Sequence, residues 1–328
     1  MVAAAKTVEA TKTRELLAVA THGICLRGTY HRVQTQYLVQ HGWELQSREN
    51  ESPRIGVLFL NSGGDPRSAS GDSAVHWADS FARSGYPSFR FDLPGLGDSD
   101  GELPEKWQDF FQLVNSGHYA SFVSSLTKIL MDRYQLSGVV VAGHCAGSVS
   151  AIYAAASSRN IQGVVVLDPY FFREEDERPA IRKGLSHLVT RNKVAGQLSK
   201  VYGGVKKVSM LVKGNKLPNN ANMPLLRCWN QVASAGVPIL VLYTQQARPR
   251  AGEFDYFRYL QSLPGGAGRM VLQFIEGANH SFADDAGREA VRRFTEEWLE
   301  ASFWLAAPER YRSLAARREE RWPMRAAR

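Results

Sequence analysis

Cysteine is scarce in this chain of 328 residues, which contains three: Cys25, Cys145 and Cys228. An odd and sparse set excludes a disulfide framework, and the spacing does not match that of zinc ligands. Long hydrophobic runs are also missing, because no stretch of about eighteen consecutive apolar residues occurs, and residues 1–14 lack the apolar region of a secretory signal. The sequence therefore predicts a cytoplasmic protein with no membrane span, no metal and no cofactor.

The positive charge is concentrated near the C-terminus. The formal net charge is +8, and residues 309–328 hold seven arginines against three glutamates, which leaves +4 in that segment. Such a tail can bind nucleic acid, an anionic membrane or an acidic carrier protein, but a solvated terminal helix also accounts for it. Aromatic residues are not interleaved with basic ones and no RNA-binding motif occurs, so nucleic acid is not the favoured partner.

One stretch combines a buried strand, two glycines and a cysteine. Residues 139–148 read VVVAGHCAGS, and an alanine-rich run follows. This pattern predicts a strand, a tight turn and a helix. Gly143 and Gly147, two residues before and after Cys145, permit a strained turn that lifts the cysteine side chain above the sheet. The positive end of the following helix would favour its thiolate form.

Strand and helix patterns alternate along most of the chain, which is typical of a mostly parallel sheet with helices on both faces. Residues 171–233 interrupt the alternation, and an insertion there would lie over the carboxyl edge of the sheet, where ligands bind in open α/β folds. The predicted organisation is an α/β core at 15–170 and 234–305, a cap at 171–233 and a basic C-terminal tail at 306–328.

Two loops and a late histidine accompany the cysteine motif. Asn61-Ser62-Gly63-Gly64 follows a short apolar strand, and a glycine pair there suits close approach of backbone to a ligand. Residues 92–101 are rich in glycine and aspartate but fit neither a phosphate loop nor a calcium loop, which indicates a structural turn. Gly277-x-x-His280 comes directly after the last predicted strand.

These motifs together support a family resemblance. Gly143-His144-Cys145-Ala146-Gly147 resembles the nucleophile elbow of the α/β-hydrolase superfamily, with cysteine in place of serine as in dienelactone hydrolases and some thioesterases. The turn at 92–99 and the Gly277-x-x-His280 loop are similar to parts of the same superfamily, in the same order. Residues 61–67, 85–87, 90–92 and 167–169 also resemble hydrolases associated with exosortase gene clusters. The resemblance implies an α/β-hydrolase fold, with a mostly parallel central sheet flanked by helices on both faces and a cap insertion.

The resemblance also implies a mechanism. Cys145 is the expected nucleophile and His280 the expected base, with His144 at the pocket. The oxyanion hole is expected from backbone N–H groups of Ala146 and of the Gly63–Gly64 loop. Because a thiolate suits thioesters and esters better than amides, we predict an acyl hydrolase or acyltransferase that forms an acyl-cysteine on a small-molecule or carrier-bound substrate.

The acid that would orient His280 has two candidates. Most relatives carry it after the strand that precedes the histidine strand, but residues 244–250 contain no carboxylate and the first one is Glu253. Asp168 follows the preceding strand, a position that some lipases of the superfamily use. We expect Asp168 to be the acid, with Glu253 as the alternative, and a cysteine–histidine dyad without an acid also stays open.

Two other kinds of function compete with the enzyme. The first is a binding protein on a hydrolase scaffold that has lost turnover, which the missing acid after the later strand favours. The second is an adaptor that binds a carrier protein or nucleic acid through residues 309–328.

Overall fold

An eight-stranded sheet lies at the centre of the protein. The fold comes from a computed structural model that describes residues 13–33, 54–173, 217–247, 253–263 and 269–303. The strands are β1 (Arg14–Thr21), β2 (Ile24–His31), β3 (Ile55–Phe59), β4 (Ser88–Phe91), β5 (Gly138–His144), β6 (Ile161–Leu167), β7 (Ile239–Thr244) and β8 (Met270–Ile275). Their order across the sheet is β1-β2-β4-β3-β5-β6-β7-β8.

The sheet is parallel except at one edge. The β1–β2 hairpin is antiparallel and pairs with β4 in the antiparallel sense, whereas each pair from β4 to β8 is parallel. Strand β5 is central, and all but its last residue are buried, as expected for a continuous apolar strand covered on both faces. The carboxyl end of β5 therefore lies at the middle of the row of strand carboxyl ends, where α/β folds bind ligands.

Seven helices lie among the described residues: α1 (Ser73–Arg83), α2 (Trp107–Ser116), α3 (Ala120–Tyr134), α4 (Ala146–Ser157), α5 (Met223–Ser234), α6 (Tyr256–Ser262) and α7 (Asp285–Phe303). Helices α1 and α7 pack on one face of the sheet, against Val140 and Ala142 of β5. The other five pack on the opposite face, against Val139 and Val141. This alternation along β5 is the period-two pattern of a strand that is buried on both sides.

The predicted α/β-hydrolase fold is confirmed, with two local differences. The sequence pattern did not predict α2, whose amphipathic face buries Phe110 and Val114. An aspartate before an amphipathic helix is a common N-cap, but Asp72 at the start of α1 has φ 54° and its side chain accepts no capping hydrogen bond. The residue lies at the end of a short 3-10 turn, so its left-handed backbone does not present the side chain to the helix N-terminus.

The predicted cap and tail lie largely outside the described residues. Residues 174–216 and 304–328 are not described. Near the end of the predicted cap, α5 packs on α4 and buries Leu225 and Trp229 in the main hydrophobic core. Among the described residues, no helix is long and apolar enough to cross a membrane.

The loop after β4 is tied to the loop after β3 through a buried carboxylate. Asp92 is fully buried and accepts hydrogen bonds from Asn61 Nδ2 at 2.8 Å, from the Arg67 backbone N–H at 2.6 Å and from the Asp98 N–H at 3.1 Å. The Arg67 guanidinium pairs with the same carboxylate. A buried carboxylate satisfied in this way holds both loops in one arrangement.

Candidate active site

The turn between β5 and α4 holds Cys145 in a strained conformation. Cys145 has φ 52° and ψ −114°, outside the regions that ordinary residues occupy, and α4 begins at the next residue. Its backbone N–H donates to the Leu167 carbonyl of β6 at 2.9 Å. Strain of this kind costs on the order of 1–3 kcal/mol and persists only where contacts with the surrounding structure hold the residue in that conformation. Here the two flanking strands and the helix impose the turn.

The two glycines of the motif are required by close backbone contacts. A Cβ on Gly143 would lie 2.2 Å from the Gly147 carbonyl oxygen, and a Cβ on Gly147 would lie 2.4 Å from the Asn61 carbonyl oxygen. Both distances are far below any real Cβ contact, so the elbow and the loop after β3 approach each other only because side chains are absent. Glycine is therefore required at both Gly143 and Gly147, as the sequence pattern predicted.

His280 lies beside Cys145 and is held by Asp168. The His280 Nδ1 atom is 2.8 Å from Asp168 Oδ2, although 112 residues separate them in the chain. The Asp168 side chain is 2% exposed and that of His280 is 58% exposed. Hydrogen bonds to Asp168 and to the Cys145 side chain raise the pKa of His280 from 6.5 to about 10. An imidazole in this setting carries a proton at neutral pH and faces the Cys145 sulfur.

Asp168, the acid that the sequence favoured, lies against His280. It follows β6 directly, and Thr244, the last residue of β7, donates to both of its oxygens. Among the described residues, no hydrogen bond or ion pair joins Glu253 to His280. The geometry therefore brings together Cys145, His280 and Asp168 and leaves Glu253 outside the group; their roles in a reaction stay a prediction.

The loop after β3 lies next to the start of α4. The Asn61 backbone contacts Gly147, and Gly63 adopts a left-handed φ of 54°. The Ala146 N–H lies in the first turn of α4, where a helix offers it no acceptor. Gly64 lies under the indole of Trp107, whose side chain a Cβ on Gly64 would meet at 2.3 Å. The loop that contains Gly63 and Gly64 and the start of α4, which contains Ala146, are therefore neighbours.

His144 packs between the cysteine turn and the histidine loop. Its ring centroid is 4.7 Å from that of His280 and 5.6 Å from that of Phe282. Its Nδ1 atom is 2.6 Å from Ser62 Oγ in the loop after β3. Burial, followed by the charge of His280, lowers the pKa of His144 to about 4. This imidazole is therefore neutral at neutral pH, unlike its neighbour.

A metal ion has one candidate group of ligands in the described part of the chain. Nitrogen or oxygen atoms of His144, Asp168 and His280 lie within 4.8 Å of one another. Both oxygens of Asp168 already accept hydrogen bonds from Thr244, and Oδ2 also contacts His280. The arrangement suits an acid that orients a histidine better than a metal ligand. The expectation of no metal and no cofactor stays a prediction.

Sequence reasoning missed several residues of this region. Thr244 and Ser62 each bond a candidate residue through a side chain, and Trp107 covers the Gly64 backbone with 57% of its surface exposed. Thr244 had a usable signal, since it stands at the end of the strand where relatives carry the acid. Ser62 and Trp107 had none, because their partners are distant in the chain.

A strand–cysteine–helix elbow at the centre of a mostly parallel sheet, with a histidine after the last strand, defines an α/β-hydrolase architecture. The family model for the α/β hydrolase fold matches residues 57–246. This match covers more than half of the chain, and the protein belongs to that family. Comparison with curated proteins gave no significant match.

Solved structures show the same fold at low sequence identity. A dienelactone hydrolase from Anabaena variabilis superposes with a TM-score of 0.52 at 16% identity, covering 88% of this chain and 98% of that chain. An esterase from Pyrococcus furiosus gives 0.53 at 14% identity, over 88% and 93% of the two chains. An α/β hydrolase from a Penicillium species gives 0.52 at 14% identity, over 88% and 99%. At these identities the likeness establishes the fold alone.

Proposed function

We propose that the protein is an enzyme that hydrolyses or transfers an acyl group from a thioester or ester through an acyl-Cys145 intermediate. The observation that carries the proposal is the chain of contacts from Asp168 through His280 to the Cys145 side chain, at a strained turn that begins a helix. A thiolate paired with an imidazolium is an activated nucleophile that does not need a further base.

In the first half of the reaction, Cys145 Sγ attacks the acyl carbon and forms a C–S bond. Negative charge develops on the acyl oxygen, and the N–H groups of Ala146 and of Gly63 or Gly64 stabilise it. The bond to the leaving thiolate or alkoxide then breaks, and that group takes its proton from the His280 imidazolium. His280 is left neutral, with Asp168 holding its orientation.

In the second half, an acceptor attacks the acyl carbon while His280 takes the acceptor's proton. Release of the acyl group breaks the C–S bond and restores the pair of thiolate and imidazolium. Water as acceptor gives a carboxylic acid and makes the protein a hydrolase, and an alcohol or amine as acceptor makes it an acyltransferase. Neighbours named dienelactone hydrolase and esterase share the fold and are in keeping with acyl chemistry of this kind.

Intact-protein mass spectrometry after incubation with a panel of acyl thioesters and activated esters tests the proposal. We expect an added acyl mass that is absent in Cys145→Ala and retained in Cys25→Ala and Cys228→Ala, because these two free cysteines are matched controls for nonspecific acylation. Decay of the adduct in water, compared with decay after addition of alcohols or amines, separates hydrolysis from transfer. Substrate consumption by Cys145→Ala at the wild-type rate would reject the mechanism.

The binding-protein alternative predicts a different result. A folded protein that consumes no substrate and forms no adduct, but binds an acyl compound in calorimetry, would support it. The adaptor alternative depends on residues 309–328, which lie outside the described residues. Deletion of that segment should abolish binding of an acidic carrier protein if the adaptor function holds and leave acylation of Cys145 unchanged if the enzyme function holds.

A further inference from the structure

A side-chain hydrogen bond links the two halves of the candidate oxyanion hole. Ser62 Oγ, in the loop after β3, lies 2.6 Å from Nδ1 of His144, the last residue of β5. One partner adjoins Gly63 and the other adjoins Cys145, so the bond spans the gap between the loop donors and the donor at the start of α4. The partners are 82 residues apart in the chain.

The proton of this imidazole can be assigned by the partners of its two nitrogens. Burial keeps His144 neutral, since its pKa is lowered to about 4, so it carries one N–H at neutral pH. The Nε2 atom of His144 is buried and makes no hydrogen bond of good distance and angle. A hydrogen-bonding contact with the His280 backbone raises the pKa of His144, but by less than burial lowers it, so this backbone is a weaker partner than Ser62 Oγ at 2.6 Å. A buried N–H without a well-aligned acceptor destabilises the folded state. The proton therefore belongs on Nδ1, which has Ser62 Oγ as its acceptor.

The charge of His280 favours the same arrangement. The His280 ring lies 4.7 Å from that of His144 and carries a proton at neutral pH, because its own pKa is raised to about 10 by Asp168 and Cys145. A bare nitrogen lone pair at Nε2 is attracted by the neighbouring cation, whereas an N–H there would be repelled. Ser62 Oγ thus accepts from His144, and this fixes the position of the loop residue next to Gly63.

We propose that Ser62 and His144 act as a pair of positioning residues, in which the His144 Nδ1–H holds Ser62 and thereby sets the Gly63–Gly64 N–H groups at the distance from Ala146 that the oxyanion requires. This role rests on the proposed acyl transfer at Cys145. Donors placed in advance cost no reorganisation during the reaction, and displacement of a catalytic group by about 1 Å can lower a rate by about 10²-fold. The Ser62–His144 pair acts on the acyl oxygen only and does not change the reactivity of the Cys145 sulfur.

Two reactions of Cys145 distinguish positioning of the oxyanion donors by the Ser62–His144 pair from a general structural role of these two residues. Acylation by a thioester passes through an oxyanion, whereas alkylation by iodoacetamide displaces iodide and forms none. We expect Ser62→Ala to lower the acylation rate constant about 10-fold with little change in KM, and to leave the alkylation rate within about 2-fold of wild type. Ser70→Ala is the matched control, because the Ser70 hydroxyl bonds Asp65 in the same region and does not contact His144.

Substitutions of His144 test which nitrogen matters. The amide nitrogen of asparagine can replace Nδ1–H, and that of glutamine reaches the position of Nε2. His144→Asn should therefore keep acylation within about 3-fold of wild type, while His144→Gln should lose about 10-fold. The double variant Ser62→Ala/His144→Gln should be no slower than the slower single variant, because both remove the same bond.

The tautomer can be read in the wild-type protein without any substitution. Nitrogen-15 chemical shifts of His144 should show a protonated Nδ1 and a bare Nε2 at pH 7. A proton on Nε2, equal losses in acylation and alkylation for Ser62→Ala, or equal rates for His144→Asn and His144→Gln would each overturn the proposal. A wild-type protein that is alkylated at Cys145 but never acylated would instead reject the proposed function, while the nitrogen shifts would still report on the pair.

Discussion

Thr244 donates two hydrogen bonds to Asp168, from its backbone N–H to Oδ1 at 2.7 Å and from its hydroxyl to Oδ2 at 2.9 Å. Thr244 ends β7, the strand after which related hydrolases were expected to carry the acid, whereas Asp168 follows β6. The two strands are neighbours in the sheet, so a carboxylate after β6 still reaches the histidine loop. Thr244, at the end of β7, fixes the orientation of that carboxylate.

Replacement of the acid should distinguish the two candidates. We expect Asp168→Asn to lower kcat by about 10²-fold, less than the roughly 10⁴-fold seen for serine triads, because a thiolate–imidazolium pair needs less help from the acid. Glu253→Gln should retain nearly full activity, since the structure joins Asp168, and not Glu253, to His280. Steady-state kinetics on a thioester measures both. A loss confined to Glu253→Gln would reverse the assignment.

The Thr244 hydroxyl should matter for rate more than for stability. Thr244→Val keeps the shape and the backbone N–H but removes the bond to Asp168 Oδ2. We expect kcat to fall about 3- to 10-fold as the carboxylate loses one of its fixed partners. Thr244→Ser retains the hydroxyl and is expected to behave as wild type. Equal rates in the valine and serine variants would show that the backbone N–H alone orients Asp168.

The His280 titration should depend on both of its partners. Asp168 and Cys145 raise the pKa of His280 to about 10, so proton NMR should show it falling in Asp168→Asn and, by a smaller amount, in Cys145→Ala. A folded-state pKa above the unfolded value stabilises the protein fully below pH 6.5, and this stabilisation is lost as the pH rises toward 10. Urea unfolding of wild type and His280→Gln should therefore converge over that range. A His280 pKa that is unchanged in both variants would contradict the contacts.

Alanine substitutions of two loop glycines should differ sharply. Gly147→Ala places a Cβ 2.4 Å from the Asn61 carbonyl oxygen, a backbone atom that cannot move away without distorting the elbow. We expect a loss of about 1–3 kcal/mol or more in the free energy of unfolding. Gly64→Ala meets the far end of the Trp107 indole, a side chain that is 57% exposed and can shift more easily than backbone. Its effect should stay below about 1 kcal/mol, which denaturant titration would show.

The buried Asp92 carboxylate should contribute far more to stability than the exposed Asp98, although both bind Arg67. Removal of one partner of a buried ion pair costs about 3–5 kcal/mol, so we expect a loss of that size for Asp92→Ala. The Asp98 side chain is 70% exposed, and its loss should cost about 0–1 kcal/mol. Thermal and urea unfolding measure both. Similar losses in the two variants would mean that Asp98 supports the loops through Arg67 as much as Asp92 does.

Most of the architecture was readable along the chain, because it depends on short-range patterns. The valine run before Cys145, the two flanking glycines and the alternation of strands and helices are local signals, and they predicted the sheet, the elbow and the hydrolase fold correctly. His280 was singled out in the same way, from its position after the last strand, and its role stays a prediction. Steric rules within a few residues are sufficient for such features.

The arrangement around the cysteine depends instead on contacts that the sequence does not display. Asp168 meets His280 across 112 residues and Thr244 across 76, and Ser62 meets His144 across 82. Which carboxylate reaches the histidine follows from the order of strands in the sheet and from the left-handed φ of 43° at Asp168, neither of which has a local signature. The sequence identified the candidate residues, and the packing of distant strands determined which of them are in contact. Hydrogen bonds form only where the folded backbone brings donor and acceptor within about 3 Å.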